Sequence, residues 1–254
     1  ALNEREFENF PEPNETDAAY NNFAFFESYF SNYIEGTEFE VEDARLIIET
    51  RTPMPARNAD SHDVLGTYYI VSNRKEMAIT PTSPDHLLDI LQHRHRVMMS
   101  ARPEANPGMF KTQNNRAGET HFVDFQQVRG TLKKGFEVYS ALRHPFARAL
   151  FMLFMISEVH PFSDGNGRIS RIMMNAELTA AGQSKVIIPT VFRTDYLSAL
   201  RQLTRKDNPE KLINAIQRVR LFSYNLRGDN FEEMRDYMER CNAFKEEDEY
   251  ILRF

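Results

Sequence analysis

One short turn between two apolar segments constrains this chain more than any other stretch. Residues 160–168 read His-Pro-Phe-Ser-Asp-Gly-Asn-Gly-Arg. Residues 146–159 carry apolar side chains at helical spacing, and residues 169–181 are rich in helix formers and are followed by Gly182. The sequence therefore predicts a tight loop that leads into the N-terminus of a helix.

The residue types in this loop suit phosphate chemistry. A helix N-terminus presents unpaired N–H groups, and glycines let the backbone approach an anion. Arg168 and Arg171 are three residues apart, so they share a helix face and can grip a polyphosphate. Asp164 offers a carboxylate oxygen of the kind that Mg²⁺ takes when it is shared with phosphates. His160 is the one side chain of the loop whose unperturbed pKa suits a general base near neutral pH. This set predicts phosphoryl or nucleotidyl transfer.

Simpler interpretations explain less of the loop. Asn166-Gly167 could form a hairpin turn, but the flanks are not alternating strands. A calcium-binding loop would have a different glycine position and a closing Glu. A purely structural joint between helices explains Pro161 and the glycines, but it does not explain His160, Asp164 and the arginines together.

The loop resembles the Fic motif, His-x-Phe-x-Asp-Gly-Asn-Gly-Arg, with a second arginine at Arg171. This resemblance implies an ATP- and Mg²⁺-dependent enzyme that transfers AMP from ATP to a Ser, Thr or Tyr hydroxyl of a target protein, or of itself. It implies that His160 deprotonates the hydroxyl and that Asp164 holds Mg²⁺. Phe162 would anchor the loop in the core.

The resemblance also assigns the phosphate contacts. Gly165, Asn166 and Gly167 would form the anion hole, and Arg168 and Arg171 would grip the β and γ phosphates. Gly167 in place of a lysine favours the AMP-transferring form. The hydroxyl would attack the α-phosphate with pyrophosphate leaving, so positioning and charge stabilisation would dominate catalysis.

A second resemblance lies in residues 31–36, Ser-Asn-Tyr-Ile-Glu-Gly. It is similar to the inhibitory motif Ser/Thr-x-x-x-Glu-Gly/Asn of Fic proteins with an N-terminal inhibitory helix, and it matches at Ser31, Glu35 and Gly36. The resemblance implies that Glu35 pairs with Arg171 and forces ATP into an unproductive pose. The alternative is an ordinary glutamate at the end of a surface helix.

Two further regions complete the expected site. Short β-type runs at residues 108–111 and 120–123 flank a polar stretch and predict a small hairpin. In the Fic family this hairpin is a flap over the active site, so Thr120, His121 and Phe122 are the candidates that dock the target backbone as an added strand. By the same resemblance Tyr196 borders the adenine, although core packing would also explain it.

We predict a mostly α-helical, Fic-like single domain with a small β-hairpin flap. Residues 1–59 would form an N-terminal arm and inhibitory helical hairpin, residues 60–226 the catalytic core and residues 227–254 a helical tail. Residues 37–40 resemble a capping box for the second helix, and Thr194 is a candidate cap of a later one. His93 and His95 are expected to be solvated on a polar helix face.

Composition limits the partners and the cellular compartment that we expect for this protein. A net charge of −6 argues against a nucleic-acid binder, which normally carries a basic face. The longest apolar run, residues 151–156, is far short of the ~20 residues of a membrane span. A single cysteine, Cys241, fits a reducing compartment. We expect a soluble, cytoplasmic protein without membrane or nucleic-acid partners.

Three alternative functions remain open at this stage. The same loop could remove AMP from a modified protein, with Glu35 positioning a water. It could transfer another phosphate-linked group, such as UMP or phosphocholine. A non-catalytic binding module could also keep the fold, although intact His160, Asp164 and Arg168 argue against it.

Overall fold

The computed structural model describes residues 2–246 and 249–254. In that part of the chain, eleven α-helices and one two-stranded antiparallel sheet confirm the predicted mostly α fold with a small hairpin. The helices are α1 (Asp17–Ile34), α2 (Val41–Thr50), α3 (Asn58–Val71), α4 (Arg74–Met77), α5 (Pro84–Met98), α6 (Val128–Ser140), α7 (Pro145–Val159), α8 (Asn166–Ala180), α9 (Arg193–Lys206), α10 (Pro209–Tyr224) and α11 (Phe231–Arg240). In the hairpin, β1 (Arg116–Ala117) pairs with β2 (Thr120–His121).

Helices α7 and α8 form the central pair. Helix α7 starts at Pro145, where His144 Nδ1 accepts the Phe146 N–H at 3.1 Å, and most of its side chains are buried. His160 ends α7 in the left-handed conformation, with φ 50°, and Gly165 precedes α8 with φ 74°. Two left-handed residues thus reverse the chain within one short loop, which lets α8 pack back along α7.

Helix α1 lies within the core. Its aromatic side chains Phe23, Phe26 and Phe30 lie on one stripe and are almost fully buried. The side of α1 that meets α8 is polar instead. Glu27 accepts a hydrogen bond from Asn175 Nδ2 at 2.8 Å and pairs with Lys185 Nζ at 2.7 Å. These paired buried groups fix how α1 lies along α8.

The N-terminal arm packs against the rest of the domain through an aromatic side chain and main-chain hydrogen bonds. Phe7 is buried and meets Phe146 edge to face, with ring centroids 5.1 Å apart. The Phe10 carbonyl accepts the Ser184 N–H at 2.8 Å, and the Glu12 N–H donates to the Gly182 carbonyl at 3.0 Å. The arm therefore runs beside the segment that follows α8.

Two predicted helix starts are wrong. Residues 37–40 do not form a capping box, because α2 begins at Val41 and its N-cap Glu40 makes no side-chain cap bond. The buried Phe39 keeps this stretch extended, and its carbonyl accepts the Tyr29 hydroxyl at 2.8 Å. Thr194 does not cap α9, since α9 continues directly from a preceding 3₁₀ turn and begins at Arg193.

The hairpin is shorter than predicted. Residues 108–111 do not form a strand, because the Lys111 N–H donates to the Pro161 carbonyl at 2.8 Å and not to a hairpin partner. The division into an arm with inhibitory hairpin, a core and a tail stays a prediction. No helix in the described ranges is long and apolar enough to cross a bilayer.

Close packing of α3 against α5 gives a stability prediction. A Cβ on Gly66 would lie 2.1 Å from the Met98 carbonyl oxygen, so Gly66→Ala should lower the free energy of unfolding by about 2 kcal/mol or more. In Gly130→Ala, the matched control in α6, the new methyl meets no atom within 4 Å. That variant should gain about 0.5–1 kcal/mol from helix propensity. Urea unfolding of both checks the opposite signs, and equal effects would contradict the packing argument.

Candidate active site

The imidazole of His160 is oriented by its own helix. His160 Nδ1 lies 3.3 Å from the Ser157 carbonyl oxygen and donates to it, which leaves Nε2 with the free lone pair. The left-handed backbone of His160 turns this side chain out of the end of α7. The ring is thus held in the tautomer that a general base needs.

Phe122, just after β2, covers the His160 ring. The two rings stack with centroids 3.7 Å apart and an interplanar angle of 4°. Burial lowers the pKa of His160 to about 4, and the nearby Lys111 ammonium acts in the same direction. His160 is therefore neutral at pH 7 and able to accept a proton.

Asn166 closes the loop with its side chain. Its Oδ1 accepts the Phe162 N–H at 2.8 Å, and its Nδ2 donates to the Phe162 carbonyl at 2.9 Å. The Asn166 side chain is therefore a structural brace, and any anion hole here is made by main-chain N–H groups. Gly165 and Gly167 have no side chain to cover these N–H groups, and a larger residue would not fit at either position. A Cβ on Gly167 would lie 2.1 Å from Glu35 Oε1, and one on Gly165 would lie 2.7 Å from Met98 Cε.

His95 supports the loop from below, which the sequence interpretation missed. It is fully buried rather than solvated, and its ring stacks on Phe162 with centroids 3.7 Å apart. Its Nδ1 accepts the Gly108 N–H at 2.9 Å, so Nε2 carries the proton and donates to the Asp164 carbonyl at 3.0 Å. Burial lowers the pKa of His95 to about 4. The spacing from Leu88 could have revealed it, because i and i+7 share a helix face.

Arg171 is buried and engaged by the end of α1. Its Nη2 lies 2.7 Å from Glu35 Oε1 and 2.8 Å from the Ser31 carbonyl, and its Nε donates to Ser31 Oγ at 3.0 Å. Gly36 follows with φ 91°, which ends α1 directly after Glu35. The fully buried Tyr196 hydrogen-bonds Arg171 from α9. The structure thus brings Ser31, Glu35, Arg171 and Tyr196 together.

Arg168 points to a different place from Arg171. Its side chain is only 4% exposed, and Nη1 lies 3.2 Å from Asp63 Oδ1 on α3 and 3.3 Å from Asn32 Oδ1 on α1. Asp63 also holds Arg102 through a 2.6 Å contact. The sequence interpretation singled out neither Asp63 nor Arg102, because no local pattern marks a partner that lies across the fold.

A cavity of about 640 Å³ lies beside the loop and is lined by some of the candidate residues. Its lining includes His160, Gly167, Arg171 and Glu35 on one side, and its other walls come from the flap, α7 and α9. The residues contributed by those walls include Thr120, Phe122, Phe154, Tyr196, Leu197 and Leu200. This volume, with an apolar end and a charged end, suits a nucleotide. Two other clefts of about 690 and 730 Å³ contain none of the loop residues.

Asp164 is the candidate metal ligand. Its side chain is 63% exposed, Oδ1 accepts the Gly165 N–H at 2.6 Å, and Oδ2 lies 3.9 Å from Arg168 Nη2. Among the residues that the structure describes, no group of three His, Cys, Asp or Glu could hold a metal alone. One exposed carboxylate therefore fits a Mg²⁺ ion whose other ligands are phosphates and water.

The fold and the site define a class of helical domain in which a glycine-rich anion loop joins two central helices and carries a histidine base. Residues 82–178 match the model of the Fic/DOC family. The chain therefore contains a Fic domain, and the resemblance of its loop is confirmed.

Relatives and solved structures agree with this assignment. The protein adenylyltransferase Fic of Drosophila willistoni is 31% identical over 190 residues, which cover 70% of this chain and 36% of the relative. That of Nematostella vectensis is 28% identical over 189 residues, with 70% and 43% covered. The chain thus spans less than half the length of these curated relatives.

Solved Fic structures share the fold. Fic-1 (residues 134–508) from C. elegans gives a TM-score of 0.65 at 19% identity, covering 86% of this chain and 63% of that one. A Fic domain containing signalling protein from Bacteroides thetaiotaomicron gives 0.68 at 17% identity, with 89% of both chains covered. The similarity extends over most of the described helices.

The stacked ring on His160 gives a prediction about its titration. In the parent protein, NMR of the imidazole should show no protonation of His160 above about pH 5, since the pKa is lowered to about 4. Phe122→Ala exposes the ring, so the pKa should rise toward the ordinary 6.5. His160→Gln assigns the signal. Phe110→Ala, which removes a ring tilted against Phe162 with centroids 5.3 Å apart, is the control and should leave the pKa of His160 unchanged. A parent value near 6.5 would contradict the burial argument.

Proposed function

We propose that this chain is a protein adenylyltransferase that transfers AMP from ATP to a Ser, Thr or Tyr hydroxyl, and that its own α1 restrains it. The observation that carries the proposal is the Arg171–Glu35 ion pair at 2.7 Å, inside a nucleotide-sized cavity that also holds neutral His160. Relatives named protein adenylyltransferase Fic support the same reaction.

The proposed reaction uses His160 Nε2 as the base. The target hydroxyl gives its proton to Nε2 while its oxygen attacks the α-phosphorus of ATP. The bond from that phosphorus to the bridging oxygen of the β-phosphate breaks, and pyrophosphate leaves. Negative charge on the phosphates would lie at the N-terminus of α8, where the N–H groups of Asn166 and Gly167, in its first turn, have no carbonyl partner within the helix. When bound, Mg²⁺ neutralises phosphate charge, and Asp164 would hold it there.

Inhibition follows from competition for Arg171. A γ-phosphate needs the guanidinium that Glu35 Oε1 and Ser31 already occupy. A charge-assisted hydrogen bond of this kind contributes about 1.5–3 kcal/mol. The Glu35 side chain is 36% exposed at the end of α1, so it can leave Arg171 by rotation while the buried helix stays in place. Occupied Arg171 would therefore hold ATP in an unproductive pose.

The flap would dock the target. Thr120 and His121 lie in the short strand β2, and Arg205 on α9 donates to Thr120 Oγ1 at 2.9 Å. An extended target segment can pair with this edge as an added strand. Phe122 must move off His160 before a hydroxyl can reach Nε2, because the rings are in contact. Tyr196 would meet the nucleoside from the opposite wall.

Substitution of the inhibitory residue tests the proposal. Glu35→Gly frees Arg171, so incorporation of AMP from radiolabelled ATP should rise roughly 10- to 100-fold. His160→Ala in that background should abolish labelling, because no base remains. Glu38→Gly is a matched control that removes an exposed glutamate three residues away and should leave labelling unchanged. Mass spectrometry of the purified Glu35→Gly protein should find an added AMP on the chain itself. Equal labelling by the His160 variant would overturn the mechanism.

AMP removal is the second candidate reaction. Glu35 lines the same cavity as His160 and is partly exposed, so it could position a water toward a bound phosphate diester. Glu35→Gly would then lower turnover of an AMP-modified protein instead of raising AMP transfer.

Supplying ATP, UTP and CDP-choline in parallel to the Glu35→Gly protein identifies the transferred group, and we expect ATP to be preferred.

A further inference from the structure

Four side chains of alternating charge form a chain behind the phosphate loop. Arg102 contacts Asp63 through two bonds, Nε to Oδ1 at 3.1 Å and Nη2 to Oδ2 at 2.6 Å. Asp63 Oδ1 also lies 3.2 Å from Arg168 Nη1. Arg168 Nη2 lies 3.9 Å from Oδ2 of Asp164, the candidate metal ligand. The series ends at the carboxylate that would face the nucleotide.

The members of this chain differ sharply in burial. The Asp63 and Arg168 side chains are 5% and 4% exposed, whereas the Asp164 side chain is 63% exposed. The buried Nε of Arg168 makes no hydrogen bond within the described residues. Asp63 is therefore the carboxylate that mainly compensates the charge of Arg168, because Asp164 lies farther away, at 3.9 Å, and Asn32 is neutral.

Loss of the Asp63 charge would redirect Arg168. A buried guanidinium without a carboxylate is costly, and the next carboxylate within reach is Asp164, four residues earlier on the same helix end. Asp164 Oδ1 is already used by the Gly165 N–H, so Oδ2 is the atom that Arg168 would take. That same atom is the one left for a cation.

We propose that Asp63 is a positioning residue for the metal site, an inference that rests on the proposed function. Asp63 holds Arg168 back from Asp164 and so keeps Asp164 Oδ2 available to a divalent cation that is shared with the phosphates of ATP. Arg102 shares this carboxylate with Arg168, because its Nε also donates to Asp63 Oδ1, at 3.1 Å. A residue on α3, Asp63, thereby influences the metal affinity of Asp164, which lies in the loop before α8.

The test measures metal binding directly. In the Glu35→Gly protein with a non-hydrolysable ATP analogue, bound Mn²⁺ is counted by electron paramagnetic resonance. Asp63→Asn should weaken Mn²⁺ binding about tenfold, the factor set by one hydrogen bond to a charged group. Affinity for the analogue without metal should change much less. Asp60→Asn is the matched control, since Asp60 lies 3.6 Å from Arg102 but makes no ion pair with Arg168. It should stay within about twofold of the parent.

A second variant separates positioning from general damage to the network. Arg102→Met leaves Asp63 free to pair with Arg168, so Mn²⁺ affinity should be kept or increased even if Asp63→Asn fails to fold. Weaker Mn²⁺ binding in Arg102→Met, or equal weakening by Asp60→Asn, overturns the inference, as does unchanged binding in a folded Asp63→Asn protein. If the Glu35→Gly parent binds the analogue with no Mn²⁺ at all, the proposed function falls first and this inference falls with it.

Discussion

Closure of the loop between α7 and α8 by the Asn166 side chain is the interaction on which the rest of the site depends. Both polar atoms of this amide are satisfied by the main chain of Phe162. The loop therefore has one shape, and α8 can begin directly behind it. The His95 ring stacks on the Phe162 ring, and its Nε2 donates a hydrogen bond to the Asp164 carbonyl. The proposed base, anion hole and metal ligand therefore all take their positions from one braced turn.

The segment before the flap is fastened to the same turn. Lys111 donates its backbone N–H to the Pro161 carbonyl, and its ammonium donates to Asn115 Oδ1 at 2.7 Å. Asn115 Nδ2 in turn donates to the Phe162 carbonyl at 2.9 Å. Lys111 is buried at this joint, and the burial lowers its pKa to about 8. The root of the flap and the catalytic loop are thus one hydrogen-bonded unit, while the tip of the flap is exposed.

Helix α1 contacts α8 through a row of polar side chains. Glu27, Ser31 and Glu35 recur at intervals of four, so they share one face of α1 and reach Asn175 and Arg171 on α8. The inner contacts are buried and fully paired, and they set the register of the two helices. The outermost contact, at Glu35, is the most exposed. The proposed switch at Glu35 would therefore need only a side-chain movement at the end of a fixed helix, and no unfolding.

The sequence by itself determined the loop chemistry, the helical fold and the candidate pairing of Glu35 with Arg171. The first two follow from local patterns, namely a dense motif between apolar segments and the helical spacing around it, whereas the pairing was implied by the resemblance of two short motifs to those of the Fic family. Tertiary structure alone decided that His95 is buried beneath the loop, that Arg168 is buried and paired with Asp63, and that Phe122 covers His160. The physical reason is that each of these contacts joins residues that are distant in sequence. Packing and charge compensation select such partners only after the helices have met, so no local spacing encodes them.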